Sequence, residues 1–422
     1  MGVVEAEIRV PTYEGVQAAK VKLNNVVVRT PLMKNLNFSD KYEGNVFFKR
    51  EDLQAVRSYK IRGAYNKISS LSDEENKNGI VCASAGNHAQ GVAYSCQKLG
   101  IRGTIFMPNV TPKQKIGQVK MFGKDMVDVV LTGDTFDDAY REAMDFCDKN
   151  KATFVHPFDD EKVIEGQGTV ALEILEDSDG PIDFLFVPIG GGGLASGAIT
   201  TFKTLSPNTK IIGVEPQGAP AMKESISSGE NVVLPKIDTF IDGAAVRQVG
   251  NKTLEICKDG LDDIILVPEG KVCSMILQLY NQEAIVVEPA GALSLAALDF
   301  YKNEIKGKNV VCVVSGSNND ITRTEEIKER SLLYEGIKHY FIIRFPQRAG
   351  ALREFLTEVL GPGDDIVHFE YSKKNSRERG PALIGLELQN KESLGDLFDR
   401  LKTKSFVFEY LNGKPDLMQY LV

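Results

Sequence analysis

Residues 183–197 read DFLFVPIGGGGLASG: an apolar run, four consecutive glycines, then the opening of a helical pattern. A buried strand that turns through glycine into a helix is the repeating unit of an α/β fold. Four glycines in a row lose much backbone entropy on folding, so they require something that approaches the backbone closely. Gly190, Gly192 and Ala195 also satisfy the dinucleotide fingerprint G-x-G-x-x-G/A, and Glu215 ends the next apolar run where a ribose-binding acid belongs. A nicotinamide site is therefore open at this point.

The same unit recurs on both sides. Strand-like runs include NVFFK (45–49), GIVCAS (79–84), RGTIFMP (102–108), DVVLT (128–132), KIIGVEP (210–216), DIILVP (263–268) and NVVCVVSG (309–316). Helical spacing fills the gaps. In NHAQGVAYSCQKLG (87–100), Val92, Cys96 and Leu99 share one face and Gly100 stands at the C-cap. Strands alternating with helices predict parallel sheets covered on both faces, and so long a series predicts two lobes with a cleft. After residue 325 the character changes. KHYFIIRF, AGALREFLTEVL, DIVHFEYS, ALIGLEL, SLGDLFDRLK and SFVFEYL read as strand, helix, strand, strand, helix, strand, the ferredoxin-like order. The expected division is a two-lobed domain over 1–325, a charged and partly helical linker over 326–338, and a small α+β domain over 339–413.

Bulk properties exclude several classes. The 422 residues are 42% hydrophobic and 26% charged, and the net charge of −8 argues against nucleic acid as a partner. Six scattered cysteines, none in a Cys-x-x-Cys pair, read as core thiols of a reducing compartment. Four histidines without metal-binding spacing predict no metal. The N-terminus shows no secretory signal, and no apolar run approaches the roughly 20 residues of a membrane span. A soluble, cytoplasmic protein is expected.

Three further stretches carry chemistry. AVRSYKIRGAYNKI (55–68) crowds Arg57, Lys60 and Arg62 ahead of a helical pattern. The bland reading is a solvated helix start; the sharper one is a lysine whose ammonium form its neighbours disfavour, so that it acts as an amine. CASAGNHAQG (82–91) leaves a strand through Ser84, Ala85 and Gly86 and opens a helix at Asn87, a place where backbone N–H groups bind anions. VVSGSNND (313–320) ends a buried strand at Ser315 and Gly316, by itself only a turn. His88 reads as a structural helix-start residue rather than a base, and His156 as a loop histidine. A nicotinamide reading leaves Lys60 and the Asn87 turn without work. A single-phosphate cofactor that also needs a lysine uses all four stretches.

SYKIRGA, SAGNHAQG, GGGGL and SGSN, in that order, resemble the pyridoxal-phosphate-dependent threonine dehydratases over residues 5–320. The segment FPQRAGALREFL resembles their ACT-like regulatory domain. The resemblance implies the two-lobed fold shared with tryptophan synthase β and pyridoxal 5'-phosphate as cofactor. It implies that Lys60 holds the cofactor as a Schiff base and that Asn87 bonds the pyridine hydroxyl. Gly190, Gly191, Gly192, Gly193 and Leu194 would bind the phosphate, and Ser315 would face the pyridine nitrogen. The turn Ser84, Ala85, Gly86, Asn87 and His88 would hold the substrate carboxylate. On the residues alone, Arg57, Arg62 and the helix start would depress the Lys60 pKa. A serine leaves the ring nitrogen uncharged, which suits elimination.

Two departures matter. Racemases of the same fold carry a second serine where Ala85 stands, so a one-faced lyase is favoured. Their divalent-cation site expects an acid where this chain has Ala221, so no metal is expected beside Glu215. The implied reaction is threonine to 2-oxobutanoate and ammonia, the entry to isoleucine, with L-serine as a second substrate. The rivals are a β-replacement synthase, a nicotinamide-dependent oxidoreductase and a pure amino-acid sensor. The resemblance further implies a homotetramer and isoleucine as effector, with Arg348 near its site. An exposed helix-start arginine reads almost as well at that position.

Overall fold

The computed structural model describes residues 10–371, 379–414 and 417. Strands β1 (Leu32–Lys34) and β2 (Asn45–Arg50) come first. They are followed by β3 (Ile80–Ala83), β4 (Gly103–Met107), β5 (Val127–Leu131) and β6 (Thr153–Phe154), then by β7 (Phe184–Pro188), β8 (Lys210–Pro216), β9 (Asp263–Val267) and β10 (Asn309–Val314). The four middle strands form an all-parallel sheet ordered β5-β4-β3-β6. The others form a six-stranded sheet ordered β1-β2-β10-β7-β8-β9, parallel except for β1. All eight apolar runs of the sequence are strands. The two strands without a sequence signal, β1 and β6, are too short to show a period.

Each sheet carries its own core. Every residue of β7 is buried, and the helices Glu161–Asp177 and Gly193–Leu205 contribute Val170, Ile174, Leu194 and Phe202 to the same cluster. The smaller sheet packs Ile80, Cys82 and Ile105 against Val92 and Cys96 of the helix Asn87–Leu99. That helix ends as expected, with Gly100 at φ 69°. All six cysteines are buried and free.

The chain divides into two compact units, 1–269 with 279–320, and 270–278 with 321–422. In the second, β11 (Lys338–Pro346), β12 (Asp365–Tyr371), β13 (Arg379–Glu387) and β14 (Val407–Tyr410) form an antiparallel sheet ordered β12-β13-β11-β14. The helices Ala351–Glu358 and Ser393–Thr403 add Phe355, Leu397 and Leu401 to Phe341, Ile343 and Phe345 of the sheet. Across the stretch expected to link the domains runs a helix, Thr324–Tyr334, with Ile327 and Ser331 buried. It lies against residues 270–278: Ser331 Oγ is 2.9 Å from Ser274 Oγ, and a Cβ on Gly270 would stand 2.4 Å from that of Tyr334. No helix among the described residues is long and apolar enough to cross a membrane.

Candidate active site

Lys60 is the first residue of the helix Lys60–Ile68, and its Nζ donates to Pro157 O at 2.8 Å. Burial pushes its pKa down to about 8, against the pull of the Glu288 carboxylate. The neighbouring cations have other work. Arg62 is fully buried, and its guanidinium pairs with Glu51 and Glu173 at 2.7 Å each; Lys49 joins Glu173 at 2.6 Å. Two carboxylates cancel those two cations, so desolvation rather than Arg62 holds the amine down. Arg57 takes a left-handed backbone at φ 63° and accepts from Ser317 N through its carbonyl, tying the approach to Lys60 to the segment after β10. The expectation that arginines depress the Lys60 pKa is corrected accordingly.

The Asn87 turn is packed against the same lysine. A Cβ on Gly91 would lie 3.1 Å from the carbonyl carbon of Lys60, so glycine lets the two helices touch. Asn87 Nδ2 donates to Glu288 Oε1 at 2.6 Å, while its Oδ1 is buried with no partner. Ser84 Oγ accepts from Gly86 N at 3.2 Å, and an added Cβ on Gly86 meets nothing within 4 Å. The turn thus faces open space beside half-buried Ala85. His88 is buried with Nε2 on Val155 O at 2.9 Å, and burial pushes its pKa down to about 3. It is a neutral imidazole whose N–H holds a carbonyl.

At the tetraglycine the backbone turns through Gly192 at φ 93° into the helix Gly193–Leu205, with no side-chain cap. The opening N–H groups of such a helix have no partner of their own and favour an anion. Part of the demand for glycine comes from the protein itself. A Cβ on Gly191 would strike the Phe158 ring at 2.2 Å, one on Gly193 would meet Phe158 Cβ at 3.0 Å, and one on Gly190 would stand 3.0 Å from Ala244. Thr253 Oγ1 donates to Gly191 O at 2.6 Å. Leu194 is buried in the core. Ser315 is buried, its Oγ donating to Ala290 O at 3.1 Å, and its carbonyl accepts from Tyr59 N beside Lys60. Lys60, Asn87 and Ser315 are thereby brought together from three elements.

Two parts of the site escaped the sequence reading. Glu288 precedes the buried helix Pro289–Ala296, and burial raises its pKa to about 7. An acid ahead of an apolar run was its signal. The segment 155–160 is the other. Beyond Pro157 and Phe158, Asp159 accepts from the backbone N–H groups of Asn251, Lys252 and Thr253, and His156 Nδ1 accepts from Asp159 N at 2.7 Å. Nothing local marks this segment, since its partners lie about a hundred residues away in either direction.

The site fits a phosphate-bearing aldehyde. It offers an amine with a lowered pKa, an uncapped helix start, and the unpartnered buried atoms Asn87 Oδ1 and Ser58 Oγ. It suits a dinucleotide poorly. Glu215 is buried, raised to about 8 by desolvation, and occupied by Met222 N and Lys223 N at 2.7 and 2.9 Å. Among the described residues no cluster of three or more metal-binding side chains occurs. In the second unit, a cavity of about 310 Å³ is lined by Phe345, Gln347, Arg348, Leu352, Phe369 and Tyr371, and Arg348 pairs with Glu354.

Fold and site define a pyridoxal-phosphate-dependent enzyme. Residues 23–316 match the family described as "Pyridoxal-phosphate dependent enzyme", and residues 329–421 match the "C-terminal regulatory domain of Threonine dehydratase". The chain is 60% identical to a biosynthetic L-threonine dehydratase of Halalkalibacterium halodurans over 97% of this chain and 99% of that one. It is 58% identical to that of Bacillus subtilis over 96% of each. Among solved structures, the processed form of threonine deaminase isoform 2 from Solanum lycopersicum superposes with a TM-score of 0.71 at 40% identity, covering 78% of this chain and 99% of that chain. Maize serine racemase does so with a TM-score of 0.71 at 30% identity, covering 77% and 99%. The chain belongs to the biosynthetic L-threonine dehydratases.

Proposed function

We propose that the protein is an L-threonine ammonia-lyase, making 2-oxobutanoate and ammonia, with L-serine giving pyruvate by the same route. The observation that carries this reading is the Lys60 amine, lowered to about 8 and placed beside both Asn87 and the Ser315 segment. Pyridoxal phosphate bound there supplies an electron sink that lets the Cα–H bond of an amino acid break. Lys60 would hold the cofactor aldehyde and, once the substrate amine replaces it there, its neutral Nζ would take the Cα proton. The helix start at Gly190, Gly191, Gly192, Gly193 and Leu194 holds the phosphate with backbone N–H groups. Asn87 would stand at the pyridine hydroxyl and Ser315 at the ring nitrogen. The open turn from Ser84 to His88 takes the substrate carboxylate through its backbone. With Ala85 in that turn, position 85 supplies no second acid to the opposite face of Cα, which supports elimination over racemisation. The β-hydroxyl leaves as water, and a second water later releases ammonia from the product.

The first strand–helix turn of the second unit, from β11 into the helix Ala351–Glu358, supports an effector role. The apolar cavity beside Arg348 suits an aliphatic amino acid such as isoleucine, whose carboxylate would compete with Glu354 for the guanidinium. Whether the working assembly is a homotetramer is read by sedimentation of the holoenzyme.

Lys60→Ala tests the mechanism. The variant should fold, lose the visible absorption of the bound cofactor, and lose turnover by several orders of magnitude. Borohydride reduction of the wild type should label Lys60 in a mass map. Near-normal 2-oxobutanoate production by Lys60→Ala would sink the reading.

A further inference from the structure

Glu288 is a carboxyl drawn into the site, and the fold has made room for it. A Cβ on Gly316 would lie 2.3 Å from Glu288 Oε1, and one on Gly243 would lie 3.5 Å away. Its main chain is pinned as well: Glu288 N donates to Gly316 O at 3.2 Å, and Gly291 N donates to Glu288 O at 2.9 Å. Only 4% of the residue is exposed. Its side-chain partner is the Asn87 amide, whose Nδ2 points at Oε1 at 2.6 Å and whose Oδ1 is left buried and unpaired. A buried acceptor without a donor costs free energy, so something else must complete that amide.

We propose that Glu288 is a positioning residue that decides, through Asn87, which end of the amide is offered to the pyridine hydroxyl of the cofactor. This rests on the reading of Asn87 as the residue beside that hydroxyl. As a carboxylate, Glu288 can only accept, so it draws Nδ2 to itself and leaves the Asn87 carbonyl for the cofactor. A carbonyl there favours a hydroxyl that keeps its proton. As a neutral acid, Glu288 donates its O–H to Oδ1, and the amide turns its N–H groups to the other side. An N–H there favours the ionised hydroxyl, which gives the bound cofactor its visible absorption. The proton on Glu288 comes from solvent, while the one that leaves the cofactor hydroxyl would pass to the nitrogen of the Lys60 linkage, so the switch takes up one proton overall and depends on pH.

The surroundings set where this happens. Burial and Asp242 raise the carboxyl toward neutrality, while Asn87, Lys115 and Asn318 N hold it down, leaving it at about 7. Lys115 is itself paired with Asp242 at 2.5 Å. Lys60 and Tyr59 face Glu288 from the helix start, and its charge bears on both. Both protonation states are therefore available near neutral pH.

The test is a pH titration of the substrate-free holoenzyme followed by absorption. Wild type should show the visible band growing, and the near-ultraviolet band falling, in one step as pH drops through about 7. Glu288→Gln, of the same shape but unable to ionise, should lose that step. Asn87→Ala should lose it too, and the double variant should match Asn87→Ala alone. An unchanged step in Glu288→Gln overturns the proposal. So does a step retained by Asn87→Ala, which needs no folded Glu288 variant to be measured. A further effect of Glu288→Gln in the Asn87→Ala background also overturns it, because Glu288 would then act on the cofactor directly. Failure of wild type to take up pyridoxal phosphate on Lys60 would instead remove the reading of the site on which this rests.

Discussion

Lys60 shows how one residue acquires its chemistry from what surrounds it. A lysine in water is charged at neutral pH, and this one is held at about 8 by loss of water. The sign is plain: below about 8 the amine is protonated and inert, above it the amine is free to attack an aldehyde. Stopped-flow mixing of apoenzyme with pyridoxal phosphate should therefore show uptake accelerating through about pH 8 and levelling above it. A midpoint near that of free lysine would mean that burial does not tune the amine. Ser315 is the second residue whose neighbours matter. Its hydroxyl now donates to Ala290 O, and Ser315→Asp would set a carboxylate against that carbonyl and, on the proposed placement of the cofactor, beside the ring nitrogen. A proton is then held on the nitrogen, the electron sink strengthens, and carbanionic species persist. Threonine turnover should fall by about tenfold or more, roughly 1.4 kcal/mol in the barrier, with new long-wavelength absorption during reaction. An unchanged spectrum and rate would mean that Ser315 does not face the nitrogen.

Between elements, the buried quartet of Lys49, Glu51, Arg62 and Glu173 fastens the Lys60 helix to β2 and to the helix Glu161–Asp177. Its four charges cancel, and Thr169 Oγ1 and Thr30 Oγ1 fill remaining positions. Removing one member leaves a buried charge uncompensated, which costs about 3–5 kcal/mol. Arg62→Met should lose that much in urea unfolding of the holoenzyme, and adding Glu51→Gln should restore part of it. A loss under about 1 kcal/mol would show that water reaches the quartet. The sequence places Arg62 two positions after Lys60 and so makes it look like a partner in catalysis. On a helix that offset points the two side chains in different directions, and only the packing shows where each one goes.

For the whole molecule, regulation and catalysis occupy separate units, and the dividing point has a physical consequence. Deleting everything after residue 325 removes the helix Thr324–Tyr334, which packs on residues 270–278 through Ser331 and Tyr334. A chain ending after Gly336 keeps that helix. Both truncations should lose inhibition by isoleucine, and the longer one should keep lyase activity at a higher melting temperature. For inhibition, isoleucine must prefer a low-activity state, and a tenfold preference is about 1.4 kcal/mol. If the longer truncation is still inhibited, the cavity beside Arg348 is not the effector site.

What the sequence determined by itself were the things written at short range. The eight apolar runs, the glycine turn into a helix at Gly193, the cap at Gly100 and the succession of strands and helices in the second unit all follow from period, entropy and left-handed backbone within a few residues. What only the tertiary structure decided were pairings across long separations. Asn87 meets Glu288, Lys60 meets Pro157, and Phe158 meets the tetraglycine because sheets bring them together, not because the chain lists them side by side. The tetraglycine shows both. Its composition announces a close approach, and the fold reveals that Phe158, Met222 and Thr253 are part of what approaches. Backbone preference is a local property of the chain, whereas desolvation and contact belong to the packed whole. That is why the amine of Lys60 could be suspected from its neighbours in sequence, yet takes its pKa from burial.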